Sequence, residues 1–176
     1  MENIRKANKF DVIAISEVHA RSWKEGYKGL ISEKYLKKIY DRLWVPKFIQ
    51  ILNDNEYMVS LYTVDGKVTG CITYGKEQDC IVPTVTEEIK REGMAEIVTF
   101  YVLPEYWGKM QGYKLATFAE KILKDMGYKG CYVWVLYGNE RAIKFYEKFG
   151  FREEKVFTKS FVGKEETIEQ RYYKKY

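Results

Sequence analysis

The sequence predicts a mixed α/β domain: a central, mostly antiparallel sheet of about seven strands flanked by about four or five helices. Three observations carry this. Asp65-Gly66 separates two runs rich in β-branched and aromatic residues, 57–64 and 68–74, the pattern of a tight hairpin. Across 95–150 the order is strand, loop, helix, strand, helix. That is a βαβα unit, whose right-handed first crossover sets strands 95–103 and 131–137 in parallel. Two more strands, near 152–160 and 166–174, surround Gly163-Lys164.

The remaining elements follow from periodicity. Residues 2–6 suit a short first strand. A helix is expected from Phe10 to about Lys24, with Val12, Ile13, Ile15, Val18 and His19 on one face, broken by Gly26 and Gly29. Ser32 is placed to cap a second helix through about Arg42, buried through Leu36, Ile39, Tyr40 and Leu43. A third short helix after Pro46 carries Phe48, Ile49, Ile51 and Leu52. Residues 76–93 read as a long polar insertion with room for a short helix near Glu87–Arg91. Ala95 to Leu103 is almost continuously apolar, which suits a strand buried on both faces. Leu115, Phe118, Ala119, Ile122, Leu123 and Met126 then fall at helical spacing before Gly127. Asn139 caps a last helix bearing Ala142, Phe145, Tyr146 and Phe149, which stops at Gly150. With no repeat, low-complexity tract or linker, residues 1–176 read as a single domain.

Composition narrows the function classes. Hydrophobic residues make up 46% and charged residues 31%, a globular balance that excludes disorder. The net charge of +5 would attract an anionic partner, but no block of like charge exceeds pairs such as Lys37-Lys38. Neither a nucleic-acid nor a membrane partner is expected, and no apolar run reaches spanning length. The three cysteines, Cys71, Cys80 and Cys131, are odd in number and follow no metal spacing or signal-peptide-like start. Reduced thiols in a cytoplasmic protein are expected. His19 is the single histidine, so no metal centre is expected.

Two segments carry chemistry. In Val102-Leu-Pro-Glu-Tyr-Trp-Gly-Lys-Met-Gln-Gly-Tyr-Lys-Leu115 a buried strand stops at a proline and a glycine-containing loop leads straight into a helix. The first amides of a helix have no internal acceptor, and the helix dipole favours an anion there. Gly108 and Gly112 allow close approach, and Lys109 and Lys114 add charge, so a phosphate-rich ligand is a sensible guest. A generic strand-to-helix turn would share these features. The Gly-Lys-Ser/Thr ending of a Walker A loop and the glycine triplet of a dinucleotide fingerprint are both missing. The second segment is Asn139-Glu-Arg-Ala-Ile-Lys-Phe-Tyr-Glu-Lys-Phe-Gly-Phe151.

In this order and spacing the two segments resemble the cofactor-binding core of the GNAT (GCN5-related) N-acetyltransferase superfamily. The family's Gln/Arg-x-x-Gly-x-Gly/Ala falls on Trp107-Gly108-Lys109-Met110-Gln111-Gly112. Its Asn-x-x-Ala-x-x-Phe-Tyr-x-x-x-Gly-Phe is matched by Asn139, Ala142, Phe145, Tyr146, Gly150 and Phe151. The resemblance covers 95–151 well and the hairpin 57–74 in outline. The stretch Ala20–Leu30 is similar to the first-helix region of a subgroup that includes polyamine acetyltransferases. Two departures stand out: Trp107 replaces the Gln or Arg, and Met110 replaces the first glycine, which would be strained if the position needs positive φ.

The resemblance implies a GNAT fold, with the parallel pair splayed apart, and acetyl transfer from acetyl-CoA to a primary amine of a small molecule or peptide by direct attack in a ternary complex. It implies that the backbone of Phe100, Tyr101 and Val102 pairs with the pantetheine arm. Amides across Lys109, Met110, Gln111, Gly112 and Tyr113 would hold the diphosphate, Asn139 would contact the cofactor, and Phe145 would pack on it. Tyr146 is implied as general acid, and Glu96, at the start of the buried strand, is the candidate general base. No metal enters. Helices 10–42 and the 76–93 insertion would select the acceptor, with Glu17, Glu25, Glu33 and Asp41 either attracting a cationic amine, a polyamine among them, or forming solvated faces. The two loop departures leave a non-catalytic acyl-CoA-binding or regulatory module as the alternative, and a homodimer is left open.

Overall fold

The structure is a computed structural model and describes residues 1–53, 57–76 and 92–176. Most of the expected insertion, Cys80 and the helix expected near Glu87–Arg91 lie outside the described residues.

Among the described residues, seven strands form one sheet: β1 (Glu2–Lys6), β2 (Tyr57–Val64), β3 (Lys67–Gly75), β4 (Met94–Val102), β5 (Gly130–Leu136), β6 (Arg152–Val162) and β7 (Glu165–Lys175). Their order is β1-β2-β3-β4-β5-β7-β6. Every ladder is antiparallel except β4–β5. Asp65-Gly66 makes the β2–β3 turn with both residues at positive φ. The helices are α1 (Val12–Gly26), α2 (Glu33–Leu36), α3 (Val45–Asn53), α4 (Gln111–Asp125) and α5 (Glu140–Lys148), and a 3-10 turn covers Pro104–Tyr106.

The parallel ladder is short. β4 and β5 pair only from Met94↔Gly130 to Ile97↔Val133, then part. β4 is therefore buried on both faces only in its first half, and from Val98 onward its side chains are partly exposed. The sequence expects burial throughout 95–103; β5 diverges and leaves the second half of β4 without a neighbour on that side. A register shift at Thr73/Tyr74 further bends the β3–β4 pair.

The sheet is covered on both faces. Leu115, Ala116, Ala119 and Leu123 of α4 and Tyr146 of α5 pack with Ala95, Ile97 and Val133. Ile15 and Val18 of α1 and Phe48 and Ile51 of α3 pack with Val59, Leu61, Val68 and Cys71. Cys71 and Cys131 are both buried free thiols. A third cluster joins Ala20, Ile31, Leu36, Ile39 and Val162.

Some helical expectations shift. Ser32 does cap α2, accepting from the Tyr35 amide at 3.3 Å. The helix does not reach Arg42, because Lys38 and Ile39 bond three residues back, to Tyr35 and Leu36. This tighter winding stacks Leu36 and Ile39 on the core side and turns Tyr40 outward. Ile13 and Ile49, expected on buried faces, are also exposed, since the buried stripes of α1 and α3 run through Ile15–Val18 and Phe48–Ile51.

Candidate active site

The parting of β4 and β5 opens a cavity of about 350 Å³, roofed by the loop after β4 and by the first turns of α4 and α5. Leu103 donates its amide to the Thr69 carbonyl on β3 at 2.8 Å. Backbone direction alternates along a strand, so the amides and carbonyls of Phe100 and Val102 face the gap. The Val102 carbonyl accepts from the Trp107 indole Nε1 at 2.7 Å and from Ser22 Oγ at 3.2 Å.

The start of α4 forms the second wall. Met110 sits in the left-handed region at φ 61°, ψ 0°, just before the helix. The strain expected of a side chain at positive φ is therefore present at this position. The first intrahelical bond runs from the Lys114 amide to the Met110 carbonyl at 3.0 Å. The amides of Gln111, Gly112 and Tyr113 thus have no acceptor inside the helix and carry its positive pole. Gln111 is buried and its Oε1 accepts from Thr69 Oγ1 at 2.8 Å, pinning the helix start to β3. A Cβ on Gly112 would lie 3.3 Å from Phe145 and 3.7 Å from Phe100, so glycine lets these three segments close together.

The third wall is α5. Phe145 meets Phe100 edge-on at 5.3 Å between ring centroids. Tyr146 is buried, packed edge-on against Phe145 and Phe151. Burial raises its phenol well above the ordinary tyrosine range, so it stays protonated and can donate. Tyr101 also lines the cavity, and its hydroxyl lies 3.3 Å from that of Tyr27 on the far side of β4. Burial raises the Tyr101 phenol, with Tyr27 adding to the effect.

Phe100, Tyr101, Val102, Met110, Gln111, Gly112, Tyr113, Phe145 and Tyr146 all line this cavity. Of the backbone groups expected to face a ligand, those of Tyr101 instead face Cys71 on β3, and the Val102 carbonyl is taken by Trp107 and Ser22. Three expected residues do not line it. Lys109 lies over the ring of Tyr106 at 5.3 Å. The Asn139 Oδ1 accepts from the Ala142 amide at 3.2 Å and so caps α5. Glu96 is buried one rung before the strands part, where it accepts from Tyr132 Oη at 3.3 Å. Its neighbours Ala95 and Ile97 pack on the Tyr146 side, so the Glu96 side chain projects from the opposite face. Lys114 pairs with Glu2 at 2.7 Å, and Glu25 and Glu33 form exposed pairs with Lys28 and Lys37.

The cavity also takes in residues that sequence reasoning left out, among them Tyr106, Trp107 and Arg141. Arg141 lies with its guanidinium 3.4 Å from the centroid of the Trp107 ring. A signal existed for both. Trp107 stands where the resembled pattern has a polar residue, and Arg141 falls in the first turn of α5 beside the capping Asn139.

Comparison with known proteins agrees with this geometry. Residues 17–151 match the Acetyltransferase (GNAT) family. The chain is 30% identical over 160 residues to the spermidine N(1)-acetyltransferase of Thermoplasma acidophilum, spanning 90% of this chain and 93% of that protein. The crystal structure of the PaiA N-acetyltransferase of the same organism, in complex with coenzyme A, superposes with a TM-score of 0.77 at 26% identity. That superposition covers 100% of this chain and 99% of the other. The ribosomal-protein-alanine N-acetyltransferase of Brucella melitensis shares the fold, with a TM-score of 0.71 at 16% identity over 99% of both chains. The splayed parallel pair, the helix start that faces it and these matches together establish that the chain belongs to the GNAT family and is an N-acetyltransferase.

Proposed function

We propose that the chain transfers an acetyl group from acetyl-CoA to a primary amine by direct attack within a ternary complex. The observation that carries this is the cavity at the parting of β4 and β5, with the unbonded amides of Gln111–Tyr113 at its wall and Tyr146 beside it. The amides suit the diphosphate. The Val102 amide, facing the gap, suits the thioester oxygen as charge builds on it. Phe100 and Phe145 offer apolar packing for the pantetheine arm.

The reaction needs two proton movements. A primary ammonium, whose pKa in water is about 10.4, must first lose a proton, which near pH 7 costs about 4–5 kcal/mol. Glu96, buried next to the last rung of the parallel ladder, is the candidate to take it through water. The neutral nitrogen then attacks the thioester carbon, the C–S bond breaks, and the nitrogen's second proton balances the departing sulfur. Burial keeps the Tyr146 phenol protonated, so its hydroxyl can donate to that sulfur. No covalent enzyme intermediate is required, and both described cysteines are buried in the core.

For the acceptor, the similarity to a spermidine acetyltransferase supports a polyamine. The test is release of free thiol from acetyl-CoA with spermidine, spermine, a lysine peptide and an amino sugar. Amine-dependent release, strongest with a polyamine, is expected. Cofactor binding without release for any amine would favour a non-catalytic acyl-CoA-binding module instead.

A further inference from the structure

Resting on the acetyl-CoA reading above, we propose that Arg141, held on the indole of Trp107, is a phosphate ligand that grips the cofactor's diphosphate together with the α4 amides. At the position where related loops carry Gln or Arg, this chain carries Trp107. The cation is supplied from α5 instead: the Arg141 guanidinium lies over the Trp107 ring at 3.4 Å, and both residues line the cavity. The platform is itself fixed, because the indole N–H donates to the Val102 carbonyl at 2.7 Å. Arg141 reaches the last turn of α1, where a Cβ on Gly26 would come within 2.7 Å of its Nη2. Glycine at 26 therefore leaves room for the guanidinium.

The charge arrangement favours a ligand over simple surface packing. Arg141 belongs to no ion pair among the described residues; burial lowers its pKa, and Tyr27 only partly opposes that shift. The two lysines of the loop region are directed elsewhere, Lys114 to Glu2 and Lys109 onto Tyr106. An arginine in no ion pair, lining the same cavity as three amides without an intrahelical acceptor, matches a phosphate, which accepts two parallel N–H bonds from a guanidinium. The stacked indole holds the fork in place before the ligand arrives, lowering the ordering cost of binding.

The test is calorimetric titration of coenzyme A and of 3′-dephospho-coenzyme A into the wild type, Arg141→Ala, Arg141→Lys, Trp107→Leu and Trp107→Phe, with unfolding midpoints of the unliganded proteins as the folding check. Arg141→Ala should weaken both ligands about ten- to a hundredfold, with the kinetic loss lying in KM for acetyl-CoA rather than in kcat. Arg141→Lys should recover only part of this, because it keeps the charge and loses the fork. Trp107→Leu should cost about two- to fivefold and Trp107→Phe should recover most of that. Unchanged affinity in Arg141→Ala, while the wild type binds, overturns the proposal and leaves the acetyl-CoA reading standing. A loss with coenzyme A but not with the 3′-dephospho form assigns the arginine to the 3′-phosphate and equally overturns it. A wild type that binds neither ligand refutes the acetyl-CoA reading itself.

Discussion

Glu96 and Tyr132 face each other across the parallel ladder, and the phenol donates to Glu96 Oε2 at 3.3 Å one rung before the strands separate. A carboxylate accepts at about four lone-pair sites, so a water can share Glu96 with the phenol. Glu96→Gln should lower kcat/KM near pH 7 by about a hundredfold. The deficit should shrink as pH rises toward about 10, where the amine loses its proton unaided. A kcat/KM profile between roughly pH 6.5 and 10 checks this. A deficit of constant size would remove Glu96 from proton transfer.

Tyr146→Phe removes the donor and keeps the packing against Phe145 and Phe151. Turnover should fall about a hundredfold, with cofactor affinity changed by less than about threefold. Thiol release and calorimetry on the same variant separate the two. Equal losses in binding and turnover would mean that the hydroxyl serves the ground state.

Much of this site was legible in the sequence because its signals are local. Asp65-Gly66, the Asn139 cap and the glycine-bearing start of α4 each depend on a few adjacent residues, and the structure forms them where the pattern puts them. What was not legible depends on distant partners. The seating of Arg141 on Trp107 joins residues 34 positions apart, through a helix rotation that periodicity does not specify. The insertion of β7 between β5 and β6 is likewise a long-range pairing. Hydrophobicity alone points Ile13, Tyr40 and Ile49 to buried faces, although an apolar side chain at the edge of a stripe often stays in water.

Met110 occupies the left-handed region at φ 61°, which costs a side chain about 1–2 kcal/mol that glycine avoids. Its side chain is exposed, so Met110→Gly sacrifices little packing. The added freedom of the unfolded chain offsets part of the gain. The net effect should be a rise in unfolding midpoint of about 1–3 °C, read by calorimetry. A fall in the midpoint would show that the methionine makes contacts worth more than the strain.

His19 is buried among Trp44, Phe48 and Tyr101, and its Nε2 has no partner. Burial lowers its pKa to about 3, with the Lys47 charge adding to the effect. The folded protein thus keeps it neutral where the unfolded chain, with a pKa near 6.5, takes up a proton. This contribution is complete above about pH 6.5 and is lost by about 1.4 kcal/mol per unit as pH falls toward the folded value. Urea unfolding at about pH 7.5 and 5 should show a drop of about 2 kcal/mol that His19→Leu lacks. The same drop in both proteins would place the acid sensitivity elsewhere.

The seam between β4 and β5 has just four rungs, Met94↔Gly130 to Ile97↔Val133, while β5 and β7 share seven. Mechanically the sheet is two plates sewn along a short stitch. A molecule in the cavity beyond the stitch lies against β4 on one side and against α5, the helix that follows β5, on the other, and so braces the two plates indirectly. Stiffness should therefore rise with occupancy and relax after each turnover, and amide exchange in the unpaired ends of the two strands would record that tightening.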